Sequence, residues 1–118
     1  MGRPRYLESV YVRNDDDAAR EFGVTVERSG EVVHEATIEL DGSRGLVRVD
    51  CGWSGRGPFV VTCTLAGGQT ETVEIAEVEE GTGEYAHVTF VATTSGELSW
   101  SGFLDDGGVR RCAGSTSR

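Results

Sequence analysis

The sequence predicts an all-β protein, an antiparallel sandwich of about eight short strands, and three observations carry that prediction. Apolar residues recur two apart rather than three and four apart, as extended strands require and helices forbid. Seventeen glycines and two prolines in 118 residues punctuate short runs of β-branched and aromatic residues. The runs follow one another at even spacing, without an internal repeat. A small up-and-down β-barrel is the alternative, and the interior distinguishes the two: a sandwich fills it with side chains, whereas a barrel carrying an apolar ligand keeps a cavity.

The clearest element is a hairpin over Phe22 to Leu40. Phe22, Val24 and Val26 share one face and Gly23, Thr25 and Glu27 the other; after a Ser29-Gly30 turn, Val32, His34, Ala36, Ile38 and Leu40 repeat the inward set. Before it, Tyr6 to Arg13 reads as a strand with Val10 and Val12 inward, followed by the polar loop Asn14 to Glu21. After it come a turn at Asp41 to Gly45 and a strand over Leu46 to Asp50 with Val47 and Val49 on one side. The glycine-rich stretch Cys51 to Pro58 is a loop, and Pro58 fixes the entry to a strand over Phe59 to Ala66. Gly67-Gly68 turns the chain into Thr70 to Val78, where Val73 and Ile75 face the core. A last hairpin pairs Glu84 to Ala92 with Glu97 to Leu104, matching Val88, Phe90 and Ala92 to Leu98, Trp100 and Leu104. The expected single domain spans residues 1–118, with an ordered core over 6–112 and a disordered tail.

Charge narrows the function classes. Twenty Asp and Glu oppose eleven basic residues, all of them Arg, for a net charge of −9. Such a chain repels phosphate backbones and anionic lipid, which disfavours nucleic acid and membrane surfaces as partners. The acid excess serves solubility, and it also suits high salt, where screening removes the self-repulsion. No apolar run approaches the length of a membrane span, and the N-terminal residues MGRPRYLE lack the apolar core of a signal peptide, so membrane insertion is not expected.

Three cysteines are an odd number. Cys63 lies on a buried strand face as a small hydrophobe. A Cys51–Cys112 bridge would tie the tail to the body and contribute about 4 kcal/mol in the chain-entropy model. Free thiols, a Cys51–Cys63 bridge and a metal site are the alternatives.

Other candidate sites each have a plain structural explanation beside the chemical one. Asp15, Asp16 and Asp17 offer oxygens to a cation such as calcium, although their spacing is not that of an EF-hand, and a solvated acidic loop is the better explanation. His34 faces inward and His87 outward, and the sequence places no acid or nucleophile beside either. Ser54 echoes a nucleophile elbow, but Arg56 stands where the second glycine belongs and no helix follows. Glu71 with Glu74, or Glu77 with Glu79, would serve as a glycosidase pair only inside a cleft. Trp53 and Arg56, on a loop of a rigid frame, are the best surface candidates for binding sugar or protein, with Trp53 as a lid on the core the competing role.

Tyr11 to Asp16, Val24 to Val33 and Gly57 to Gly68 resemble small acidic Ig-like β-sandwich domains secreted or lipid-anchored by halophilic archaea. The resemblance covers residues 6–78 and implies an Ig-like sandwich at the cell surface or outside the cell, with no assigned activity; the lipobox cysteine often seen in that group is absent before Tyr6. The resulting expectation is a non-catalytic binding or structural module, without cofactor, whose partner is a protein or carbohydrate. A barrel carrying an apolar ligand stands second and a hydrolase third. The hydrolase requires His34 or His87 to lie within hydrogen-bond reach of both a carboxylate and a hydroxyl or thiol.

Overall fold

The computed structural model describes residues 5–42, 45–49, 53 and 55–106. Nine strands occur among them: β1 (Arg5–Asn14), β2 (Arg20–Arg28), β3 (Glu31–Leu40), β4 (Val47–Arg48), β5 (Arg56–Gly57), β6 (Phe59–Leu65), β7 (Thr70–Glu74), β8 (Tyr85–Ala92) and β9 (Leu98–Asp105). Their only helical companion among the described residues is the single 3-10 turn Ile75–Glu77. The strands form two packed sheets, β4-β1-β8-β9 with β5 also on β1, and β3-β2-β6-β7. This is the β-sandwich that the two-residue period predicts.

Each sheet contributes its inward residues to one core. Val10, Val12, Val88 and Phe90 of the first sheet meet Val24, Val26, Val61 and Cys63 of the second, all at 1% exposure or less. Burying each of these Val and Phe side chains stabilises the fold by about 1.5–3 kcal/mol before ordering entropy is counted. Among the described residues the sheets do not close on each other: β3 and β7 are the edges of one, β4 and β9 of the other, so the strands described do not form the up-and-down barrel. Burial also raises the Cys63 thiol to about 12, keeping it neutral.

The edges are guarded differently. β3 carries Glu31, Glu35 and Glu39 outward, while β7 is only five residues long and turns Glu71 toward the inner face, where it pairs with Cys63. Both devices discourage pairing with another chain.

Three features depart from the strand-by-strand expectation. The register slips between Val26 and Glu27, so that Val33 packs against the core while Val32 stands 48% exposed; one extra residue exchanges the faces. The strand expected over Leu46 to Asp50 shrinks to two residues, and that over Thr70 to Val78 ends at Glu74, where the 3-10 turn still buries Ile75. Finally, β1 runs parallel to β8, although every other ladder between the nine described strands is antiparallel. The segment Val109 to Cys112 and the tail lie outside the described residues.

The Ser29-Gly30 turn is as expected. Both residues have positive φ, 54° and 85°, the twist that a two-residue hairpin loop requires.

Candidate functional site on the outer face of the first sheet

The parallel ladder sets up the site. Between Leu7 and Ser9 the register of β1 against β8 shifts, which removes Glu8 from the regular alternation. Side chains satisfy the backbone there. The Trp53 indole donates to the Leu7 carbonyl at 2.7 Å, and Arg48 Nη2 donates to the Glu8 carbonyl at 3.3 Å. Trp53 is therefore the lid on the core, 9% exposed, with the inward His34 edge-on to its ring at 5.4 Å.

The bulge aligns two rows of side chains on the outer face. In one, Tyr6 and Tyr85, cross-strand partners, stack at 4.5 Å and 9°. The Arg56 guanidinium lies 4.9 Å from the Tyr6 ring and donates to Glu84 at 2.7 Å. The hydrogen bond to Glu84, then that to Tyr6, raises the Arg56 pKa further above its ordinary value. Arg56, expected on a loop, thus lies in β5 opposite Tyr6 and is fixed at the end of an aromatic stack.

In the second row, Ser9, His87 and Phe103 are neighbours across β1, β8 and β9. Ser9 Oγ lies 2.6 Å from His87 Nδ1, and His87 Nε2 lies 3.1 Å from an Asp105 carboxylate oxygen, though off the direction in which a ring N–H would point. Phe103 stacks on the imidazole at 4.5 Å and 12°, and stands 48% exposed.

This second row was not legible in the sequence. Ser9 is 78 residues from His87, and only the parallel pairing brings them together. Phe103 did leave a signal: Leu98, Trp100 and Leu104 take the core parity of its strand, which puts an aromatic residue at 103 on the wet side.

The remaining candidates have structural partners. Asp15 pairs with Arg13 at 2.9 Å and Asp16 with Arg20 at 2.6 Å, while Asp17 is exposed. The Arg20 hydrogen bonds hold the Asp16 carboxyl below its ordinary range. Beneath this loop, buried Asn14 Nδ2 lies within donating reach of the carbonyls of Ala18, Leu40 and Asp41 at 2.9, 3.2 and 3.0 Å, and its Oδ1 accepts from the Asp16 amide. The acidic triplet is thus an organised loop tied to the end of β3. Among the described residues no group of three His, Cys, Asp or Glu is placed to hold a metal ion. Glu71 and Glu74 point to opposite sides of β7 and share no cleft, and Glu77 and Glu79 are exposed. Cys51, Cys112 and Ser54 lie outside the described residues.

No family model, curated protein or solved structure matches the chain. Among the described residues no helix is long and apolar enough to cross a membrane.

Proposed function

We propose that this chain is a non-catalytic module acting outside the cytoplasm, at the cell surface or beyond it, and that it holds a protein partner through the outer face of its first sheet. The observation that carries this reading is the half-exposed Phe103, stacked on His87 beside the Arg56–Tyr6–Tyr85 stack. Tyr, Phe and Arg held rigid by their neighbours are the residue types that anchor protein interfaces, because little side-chain freedom is lost on binding. A carbohydrate partner would use the same rings. The Ig-like reading concerns architecture: the strand order is the chain's own, since β2 and β3 stay in one sheet where immunoglobulin domains put the second and third strands in opposite sheets.

A photo-crosslinking amino acid at position 103, with position 39 on β3 as control, tests this in the cells that make the protein. The expected result is one discrete adduct from position 103 in the surface or secreted fraction. Equal crosslinking from both positions, or an adduct found only in the cytoplasm, overturns the reading.

The hydrolase is the second reading, favoured by His87 lying within reach of both Ser9 Oγ and Asp105. Against it, Ser9 is 1% exposed, so a substrate carbonyl has no approach to its oxygen without movement of β1 or its neighbours. A fluorophosphonate probe decides: no labelling is expected, and labelling that Ser9→Ala abolishes would establish the hydrolase instead.

A further inference from the structure

The opposite face of the sandwich has a regular tiling that the proposed partner surface does not use. Two rows of cross-strand neighbours run across β3, β2, β6 and β7: Thr37, Gly23, Thr64, Thr70, and beside it Glu35, Thr25, Thr62, Thr72. Hydroxyls meet within the rows, Thr62 to Thr72 at 3.3 Å and Thr64 to Thr70 at 3.2 Å. Gly23 interrupts the tiling, and a shallow, open hollow of about 350 Å³ lies over it, lined by Gly23, Thr25, Glu35, Thr37 and Thr64 among others.

Nothing in the backbone requires glycine at this position. Gly23 does not have a positive φ, and a Cβ built there would meet only the Thr64 carbonyl oxygen, at an ordinary 3.8 Å. Glycine inside a strand lowers stability relative to alanine, and with no bulge at Gly23 in either of its ladders, close approach of a ligand is the remaining use of a strand glycine.

The lining selects the occupant. Glu35 and the net charge of −9 repel an anion. A single carboxylate falls short of the six to eight oxygen ligands that calcium takes, and only part of a shell is within reach. Thr64 already bonds Thr70, but an apolar group would leave the Thr25 and Thr37 hydroxyls unpaired. A neutral polyol suits all of them: its hydroxyls donate to the Glu35 carboxylate and exchange hydrogen bonds with Thr25, Thr37 and Thr64. We propose that this hollow is a binding site for a neutral sugar or polyol group, independent of the partner surface on the first sheet. With no aromatic ring in the lining to stack on, affinity for one sugar unit falls in the millimolar range.

The test is an amide NMR titration with maltose and cellobiose, alongside calcium chloride and sodium sulfate. Expected are saturable shifts at Gly23, Thr25, Thr37 and Thr64 with at least one disaccharide. Gly23→Val, which raises the floor of the hollow with a residue that favours strands, should weaken that binding at least tenfold while the remaining amide spectrum is retained. Glu35→Gln should weaken it less, because it keeps an acceptor. Three results overturn the proposal: no shift at these amides with either sugar up to 100 mM, shifts unchanged in Gly23→Val, or calcium or sulfate saturating the same amides at lower concentration. None of these outcomes depends on Phe103, so this site and the partner surface stand or fall separately.

Discussion

Asn14 is the residue whose replacement tests the fold most sharply. Its side chain is fully buried, and its amide nitrogen, with two hydrogens, serves three backbone carbonyls while its oxygen accepts from Asp16. Asn14→Ala deletes these bonds and leaves buried polar groups unpaired, each costing about 1–3 kcal/mol where water does not enter. Allowing for partial hydration and for shared hydrogens, the expected loss is about 2–4 kcal/mol, a large part of the roughly 5–15 kcal/mol that holds a domain together. Asn14→Asp is the more revealing change, because it keeps the shape and the oxygen, loses both donors, and turns a negative charge toward three carbonyl oxygens. It should therefore cost more than alanine at pH 7. Burial and the carbonyls raise the folded-state pKa of that aspartate above its unfolded value, so the native form prefers the protonated acid, which can donate. By linkage the penalty then grows as pH rises through the unfolded value and shrinks toward acid. Urea melts followed by circular dichroism at pH 7 and pH 4.5, each referred to the parent protein at the same pH, measure it. If Asn14→Ala costs under about 1 kcal/mol, or the Asn14→Asp deficit is the same at both values, the loop is not held as described.

Four further outcomes are expected. Trp53→Phe leaves the Leu7 carbonyl without its 2.7 Å donor and should lose about 1–3 kcal/mol in the same melts. Cys63, with its thiol raised to about 12 by burial, should resist thiol reagents at pH 8 until the protein unfolds; reaction at the rate of a free thiol would contradict its placement. Asp16 has its folded pKa lowered, chiefly by Arg20, from an ordinary 3.8; its contribution is present above 3.8 and lost as pH falls below it, so Arg20→Ala should flatten the acid limb of the stability profile. If the acid excess matches a high-salt setting, the melting temperature should climb steeply from dilute buffer to molar sodium chloride, and a flat response would remove that idea.

The sandwich was legible because strand alternation is a local property, written out residue by residue in Phe22 to Val26 and Phe59 to Leu65. Val32 shows its limit: the slip after Val26 arises from pairing between strands, which no single strand records. The outer-face site was less legible for the same reason. An antiparallel expectation gives β1 no reason to lie beside β8, so nothing in the sequence joins Ser9 to His87. Trp53 could be assigned to core or surface from its loop alone; the register shift at Glu8 decided for the core by freeing a carbonyl for its indole.

The placement of β1 also governs the order in which the molecule can assemble. All four strands of the second sheet are available once the chain has been made as far as Glu74, whereas β1 has by then only its two-residue ladders to β4 and β5, and its long ladder waits for Tyr85–Ala92, some eighty positions further along. Closing so long a loop makes this the slow step, and until it happens the edge of β1 that β8 covers stays open. An intermediate in which the chain up to residues 80–84 has left the ribosome would therefore carry one finished layer and one open-edged strand, the species most prone to aggregate or to recruit a chaperone.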